Sequence, residues 1–139
     1  MKFMISTYAT QADYDAMGGK PAADAEWSQE QFEAMFAFME AFNRELDASG
    51  ELVETRGLDA PVHARRIQLK EGLPVVTDGP YAETQEVLAG YWIVECASFD
   101  RATEIALRLS AVPGPASVQA RAYADVRPII ESRVELLEG

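Results

Sequence analysis

Leu73-Pro-Val-Val-Thr-Asp-Gly-Pro-Tyr-Ala-Glu-Thr-Gln-Glu-Val-Leu-Ala-Gly-Tyr-Trp-Ile-Val-Glu-Cys96 is the stretch on which the reading of this chain turns. Val75, Val76 and Thr77 are β-branched and favour an extended backbone. Asp78-Gly79-Pro80 then stops the strand: Asp accepts hydrogen bonds from nearby backbone N–H groups, Gly tolerates positive φ, and Pro fixes φ near the helical value. Pro80 suits the first position of a helix, which predicts a short helical turn over Ala82–Val87. Gly90 is expected to act as a hinge into Tyr91–Cys96, the most hydrophobic strand candidate in the chain. Both faces of that strand are apolar, with Tyr91 and Ile93 on one and Trp92 and Val94 on the other. A sheet covered on one side only does not need that.

Working outward, Lys2–Tyr8 alternates Phe3, Ile5 and Thr7 with Met4, Ser6 and Tyr8, the pattern of a strand. Residues 9–26 read as a long polar loop, either a lid or a tolerated surface insertion. Trp27–Gly50 is the clearest helix. Ser28 and Gln31 have the spacing of a capping box, and Trp27 with Phe32 that of a hydrophobic staple. Phe32, Met35, Phe36, Met39, Phe42 and Leu46 recur at the helical period, while Glu33, Glu40, Asn43 and Glu45 are expected to face away. Glu51–Arg56 reads as a strand. Ala64–Lys70 and Leu73–Thr77 read as a hairpin turning at Glu71-Gly72. Ser98–Ser110 is a second helix with Ser98 as its cap, and Pro113-Gly114-Pro115 prevents its continuation. Val118–Tyr123 alternates and is expected to be the closing strand, followed by a tail over 127–139 with spare apolar residues.

The order strand, helix, strands, helix, strand predicts an α+β fold, a ferredoxin-like split βαβ unit with a mainly antiparallel sheet. A length of 139 residues fits one domain spanning 1–139. The net charge of −11 repels phosphate backbones and anionic lipid, so neither nucleic acid nor membrane is an expected partner. Cys96 is the single cysteine, which excludes an internal disulfide and a multi-cysteine metal site. The N-terminal segment turns polar at Ser6-Thr7 and lacks a signal-peptide run, so a cytoplasmic location is expected.

Asp78-Gly79-Pro80-Tyr81, Glu83-Thr84-Gln85-Glu86 and Gly90-Tyr91-Trp92 resemble the signature of the DGPF branch of the YCII-related family. The likeness extends to Gly50-Glu51-Leu52, Gly57-Leu58 and Val126-Arg127-Pro128. Tyr81 stands where the motif has phenylalanine and Gln85 where it has lysine. The resemblance implies a dimeric α/β barrel, in which two sheets pack face to face. It also implies an accessory role beside sigma-70-like transcription factors, through a protein partner in transcription regulation. Other barrels of this kind are isomerases and a dehydrochlorinase.

His63 is the only histidine. Imidazole is the natural proton shuttle near neutral pH, so His63 and Asp78 form the candidate catalytic pair; the other readings are a surface histidine and a turn cap. Tyr81, Glu83 and Arg65 are the candidate ligand contacts. Glu83 and Glu86 would share one face of the short helix, yet nothing supplies a full ligand set for a metal, and no cofactor is expected. Two functions follow. One is a small-molecule-binding or regulatory homodimer. The alternative is a cofactor-independent lyase, isomerase or dehalogenase with an acid/base pair in an apolar cleft. In the homodimer, Tyr91, Trp92, Ile93 and Val94 are expected in or beside the interface.

Overall fold

The structure is a computed structural model and describes residues 1–20 and 26–138. Strand β1 (Lys2–Ala9) leads into helix α1 (Gln11–Met17) and, after the segment that includes 21–25, into α2 (Gln29–Ala48). Then come β2 (Leu52–Gly57), the hairpin β3 (Arg65–Lys70) and β4 (Leu73–Asp78), β5 (Val87–Glu95) and α3 (Phe99–Leu107). Helix α4 (Ala116–Arg121), β6 (Ala124–Pro128) and α5 (Arg133–Glu138) close the chain. The fold is α+β, as expected. Its main sheet has the order β2-β5-β1-β6 with every neighbouring pair antiparallel, and β3-β4 forms a second, two-stranded sheet. Leaving aside the hairpin and the short helices, this is the split βαβ connectivity.

The two inner strands set the core. β1 and β5 pair with Phe3 opposite Val94 and Ile5 opposite Trp92. These four side chains are buried against Phe42 and Leu46 of α2 and Ala102 and Ile105 of α3. Each large apolar side chain so buried contributes about 1.5–3 kcal/mol relative to exposure. Trp92 and Val94 therefore belong to the chain's own core and are not available to a partner; Tyr91 and Ile93 point to the other face.

Both main helices start as their sequences dictate. Ser28 Oγ accepts from the Gln31 N–H at 3.0 Å, and Gln31 Oε1 accepts from the Ser28 N–H at 3.0 Å, completing the capping box. Trp27 and Phe32 meet edge to face with ring centroids 5.8 Å apart, as the staple requires. Ser98 Oγ accepts from the Arg101 N–H at 3.1 Å at the start of α3. Asn43 does not face away: its Oδ1 accepts from the Trp92 indole N–H at 2.7 Å. A polar residue on the flank of the apolar stripe thus satisfies the one polar atom of the core tryptophan.

Several local expectations fail for tertiary reasons. Residues 9–26 are not one loop, because 11–17 form α1; positions 21–25 lie outside the described residues. Thr10 caps α1, its Oγ1 accepting from the Asp13 N–H at 3.1 Å while Asp13 accepts from the Thr10 N–H at 2.9 Å. The closing strand is Ala124–Pro128, and Ala116–Arg121 is helical instead. The alternation at 118–123 lost to Val126 and Ala124, which pack onto the core beside Ile5 and Thr7. Gly90 is not a hinge. It lies inside β5, where a Cβ would come within 3.2 Å of the Arg56 carbonyl oxygen. The expected helix over 82–87 is a turn closed by Gln85 N–H to the Ala82 carbonyl at 3.0 Å, since Val87 already pairs with Ala9.

The Asn43–Trp92 contact yields a stability prediction. Asn43→Ala leaves a buried indole N–H without its acceptor, which costs roughly 1–3 kcal/mol. Urea unfolding followed by tryptophan fluorescence measures it. A loss within error of zero would mean that the indole finds another acceptor.

Candidate functional site

A β-bulge organises the end of the sheet where the signature lies. Thr7 is opposite Gly90 and Tyr8 opposite Leu88, so Ala89 is the extra residue in β5. Its carbonyl accepts from the Leu58 N–H at 2.8 Å and lies 3.5 Å from the Tyr14 hydroxyl, which donates to the Leu58 carbonyl at 2.8 Å. Gln11 Oε1 accepts from the Val62 N–H at 2.9 Å. Helix α1 thereby clasps the connection from Gly57 to Ala64.

The signature turn docks on the same connection. Gly79 sits at φ 56, and its N–H donates to the Ala64 carbonyl at 2.8 Å. A Cβ there would stand 3.4 Å from the Val62 carbonyl oxygen, in the left-handed backbone region that favours glycine. The segments carrying His63 and Asp78 are therefore neighbours, but their side chains take separate partners. His63 ends a 3₁₀ turn, Pro61–His63, and its Nδ1 lies 3.0 Å from Asp59 Oδ1 with the imidazole 63% exposed. The hydrogen bond from His63 holds the Asp59 carboxyl below the usual carboxylate range, helped by the Ala60 N–H.

Asp78 pairs with Arg65, opposite it across the hairpin, at Nε–Oδ1 2.6 Å. Arg65 and Asp78 are both mostly exposed, so their ion pair adds little stability. Arg66 places its guanidinium 5.2 Å from the centre of the Tyr81 ring, a cation–π contact. Glu83 is exposed in the turn after Tyr81, and Glu86 accepts from the Tyr123 hydroxyl. With no helix at 82–87, Glu83 and Glu86 do not share a helical face. Among the described residues no group of three or more His, Cys, Asp or Glu side chains is placed to hold a metal ion.

The sheet face away from α2 and α3 carries Tyr91 and Ile93, expected at an interface, and further groups that were not candidate site residues. Tyr8 and Tyr123 stack there with centroids 5.2 Å apart. Tyr91 donates its hydroxyl to Glu54 Oε2 at 2.9 Å. The bond to Glu86 pushes the Tyr123 phenol up to about 12. The bond to Glu54 raises the Tyr91 phenol as well. Burial raises Tyr8, with Asp125 adding to the effect. These phenols stay protonated in neutral solution and act as hydrogen-bond donors. Met4 and Ile93 pair with each other on neighbouring strands, one step beyond the Ser6–Tyr91 pair on this face, each partly exposed. Tyr91 was expected at the interface, but the hydroxyl partners were missed because they are far off in sequence: Tyr91 and Glu54 are 37 positions apart, as are Tyr123 and Glu86.

A YCII-related domain matches residues 1–127. The chain belongs to the YCII-related family. An uncharacterized protein of Rhizobium meliloti (strain 1021) is 34% identical over 103 residues, which is 73% of this chain and 83% of that protein. Among the described residues no helix is long and apolar enough to cross a membrane.

Helix α1 is tied to α4 by Arg121, whose Nη2 lies 2.6 Å from Asp13 Oδ1. Burial pushes the Asp13 carboxyl up, but the hydrogen bonds from Arg121 and the Thr10 N–H outweigh it and hold it below the usual range. A carboxylate with a depressed folded pKa stabilises the fold above its unfolded pKa, about 3.9, and loses that contribution as pH falls through the folded value. Asp13→Asn is therefore expected to lower the urea midpoint at pH 7 and to match the wild type progressively more closely below about pH 4. A difference independent of pH would show that the charge on Asp13 contributes nothing.

Proposed function

We propose that this YCII-family chain works as a homodimer that binds a small molecule, with the open sheet faces of two copies packed against each other as a dimeric α/β barrel. The observation that carries the reading is the open face itself. Met4, Tyr8, Tyr91, Ile93 and Tyr123 are all left partly or largely exposed there, while α2 and α3 take up the opposite face. Soluble monomers avoid extended exposed apolar patches, and a twofold pair of the same surface is the commonest remedy. Phenol oxygens whose protons are held by Glu54 and Glu86 still accept, and beside Met4 and Ile93 they suit a mostly apolar ligand with a few hydrogen-bond donors. The regulatory form of this reading, an accessory to a sigma-70-like transcription factor, draws its support from the DGPF resemblance.

The lyase, isomerase or dehalogenase reading needs His63 and Asp78 to open into one cleft. His63 is directed to Asp59 and to solvent, and Asp78 to Arg65. The binding reading is accordingly preferred.

Sedimentation at micromolar concentration is expected to give a dimer. Ile93→Lys places a charge in the centre of the paired faces and is expected to weaken association by about a hundredfold or more, about 2.7 kcal/mol. Because Ile93 lies outside the core, thermal unfolding of the isolated subunit should change little. A wild type that sediments as a monomer of 15.3 kDa would overturn the proposal.

A further inference from the structure

The hairpin β3–β4 stands apart from the core. Ile67, Leu69, Leu73 and Val76 are all between 58% and 75% exposed. Cross-strand pairing puts Ile67 opposite Val76 and Leu69 opposite Pro74, so Ile67, Leu69, Pro74 and Val76 form one apolar face, while Leu73, opposite Lys70, lies on the other. The turn between the strands is tight: Glu71 and Gly72 both have positive φ, at 51 and 78, the conformation of a two-residue hairpin turn. Six residues per strand reach roughly 20 Å from the body. A free two-stranded hairpin is marginal in water, and one with four large apolar groups in solvent needs a cover.

The charge on this arm narrows what can cover it. Arg65, Arg66 and Lys70 outnumber Glu71 and Asp78 in a chain of net charge −11. The opposite composition occurs at the C-terminus. Ile130, Val134, Leu136 and Leu137 are each more than half exposed, and Glu131, Glu135 and Glu138 outnumber Arg133. Arm and tail both carry exposed apolar surface, and Arg66 and Lys70, on the arm's other face, leave the arm as a whole net positive where the tail is net negative.

Topology keeps them apart within one chain. The arm rises where β2 ends and β5 begins, at the β2 edge of the sheet and beside Ala9, the last residue of β1. The tail leaves β6 at the other edge and the other end, where Pro128 pairs with Phe3, Ile129 donates to the Lys2 carbonyl at 2.9 Å, and Glu131 meets the Lys2 ammonium at 3.2 Å. They occupy diagonally opposite corners. When two such sheets face each other, a twofold axis lying between them along the other diagonal exchanges the two corners. It sets each arm on the partner's tail, and both contacts form at once, as an isologous interface requires.

We propose that the hairpin is a dimer arm whose occupant is a second copy of this chain: the face of Ile67, Leu69 and Val76 packs on the acidic, apolar segment Ile130–Glu138 of the partner. This rests on the face-to-face pairing proposed above and adds which corners meet. Anionic nucleic acid or lipid is a poorer cover, because the rest of the chain repels it.

The test uses two single-cysteine full-length proteins, Leu69→Cys and Leu137→Cys, each with Cys96→Ser and carrying different tags. They are mixed and mildly oxidised, and the covalent products are read on a non-reducing gel. Cross-links form only when Cα atoms approach within about 7 Å, so the mixture is expected to give about fivefold more disulfide-linked dimer than either protein alone. In parallel, Leu69→Asp is expected to raise the dimer dissociation constant about tenfold, with the circular dichroism of the subunit unchanged. A mixture that links no better than its components, in a protein that still sediments as a dimer, overturns the arm–tail contact and leaves the face-to-face dimer standing. A wild type that sediments as a monomer overturns both.

Discussion

Antiparallel pairing of Lys2–Ala9 with Val87–Glu95 is the constraint on which the other elements depend. It sets Phe3 beside Val94 and Ile5 beside Trp92 on one face, and it is against that four-residue surface that α2 and α3 bury Phe42, Leu46, Ala102 and Ile105. β2 and β6 then add to the two outer sides. Remove the inner pair and neither helix has an apolar surface to cover, since each buries only two large or small apolar residues of its own. The Arg101–Glu51 pair, with two contacts of 2.8 Å, ties the start of α3 to the turn between α2 and β2. It secures an arrangement that the core has already determined.

The same pairing creates the candidate site. One extra residue, Ala89, is forced out of register where β5 meets the end of β1, and its carbonyl becomes the anchor for Leu58 and the neighbour of Tyr14. From that anchor hang the connection bearing Asp59 and His63, the signature turn at Gly79, and the hairpin beyond it. A bulge that redirects a chain is a recurrent device beside functional surfaces. Here it explains why a short glycine-containing turn, the chain's one histidine and an exposed arm are gathered at one corner of the sheet.

The two faces of the sheet divide the work by chemistry. The inner face is mostly apolar, and its polar groups are met within the chain: the Trp92 indole by Asn43, and the Thr7 and Thr55 hydroxyls by carbonyls of β5. The outer face mixes Met4 and Ile93 with tyrosines whose hydroxyls are already engaged by Glu54 and Glu86. Such a face can be covered by another protein surface without stranding polar groups. It is therefore better suited to association than a purely charged one.

Local signals were sufficient for much of the chain. The capping box at Ser28, the staple of Trp27 on Phe32, the cap at Ser98, the hairpin turn at Glu71-Gly72 and the alternation of β1 all depend on residues a few positions apart, and the structure contains each of them. The family was likewise legible, in Asp78-Gly79-Pro80 and the residues that follow. What the sequence by itself could not decide was settled by partners distant along the chain. Val87–Gly90 could have continued a helical turn, but pairing with β1 made it strand. Residues 118–123 alternate like a strand, yet Ala124 and Val126 reach the core and displace them. Asn43 reads as a surface residue until Trp92 arrives 49 positions later. His63 and Asp78 look like a pair in sequence, and the fold does bring their segments together. Each side chain is held by another partner, however: His63 meets Asp59 at 3.0 Å and Asp78 meets Arg65 at 2.6 Å. Local propensity selects among conformations that differ by fractions of a kcal/mol; burial of a Trp or Val side chain contributes several times that, and so the tertiary structure had the final choice.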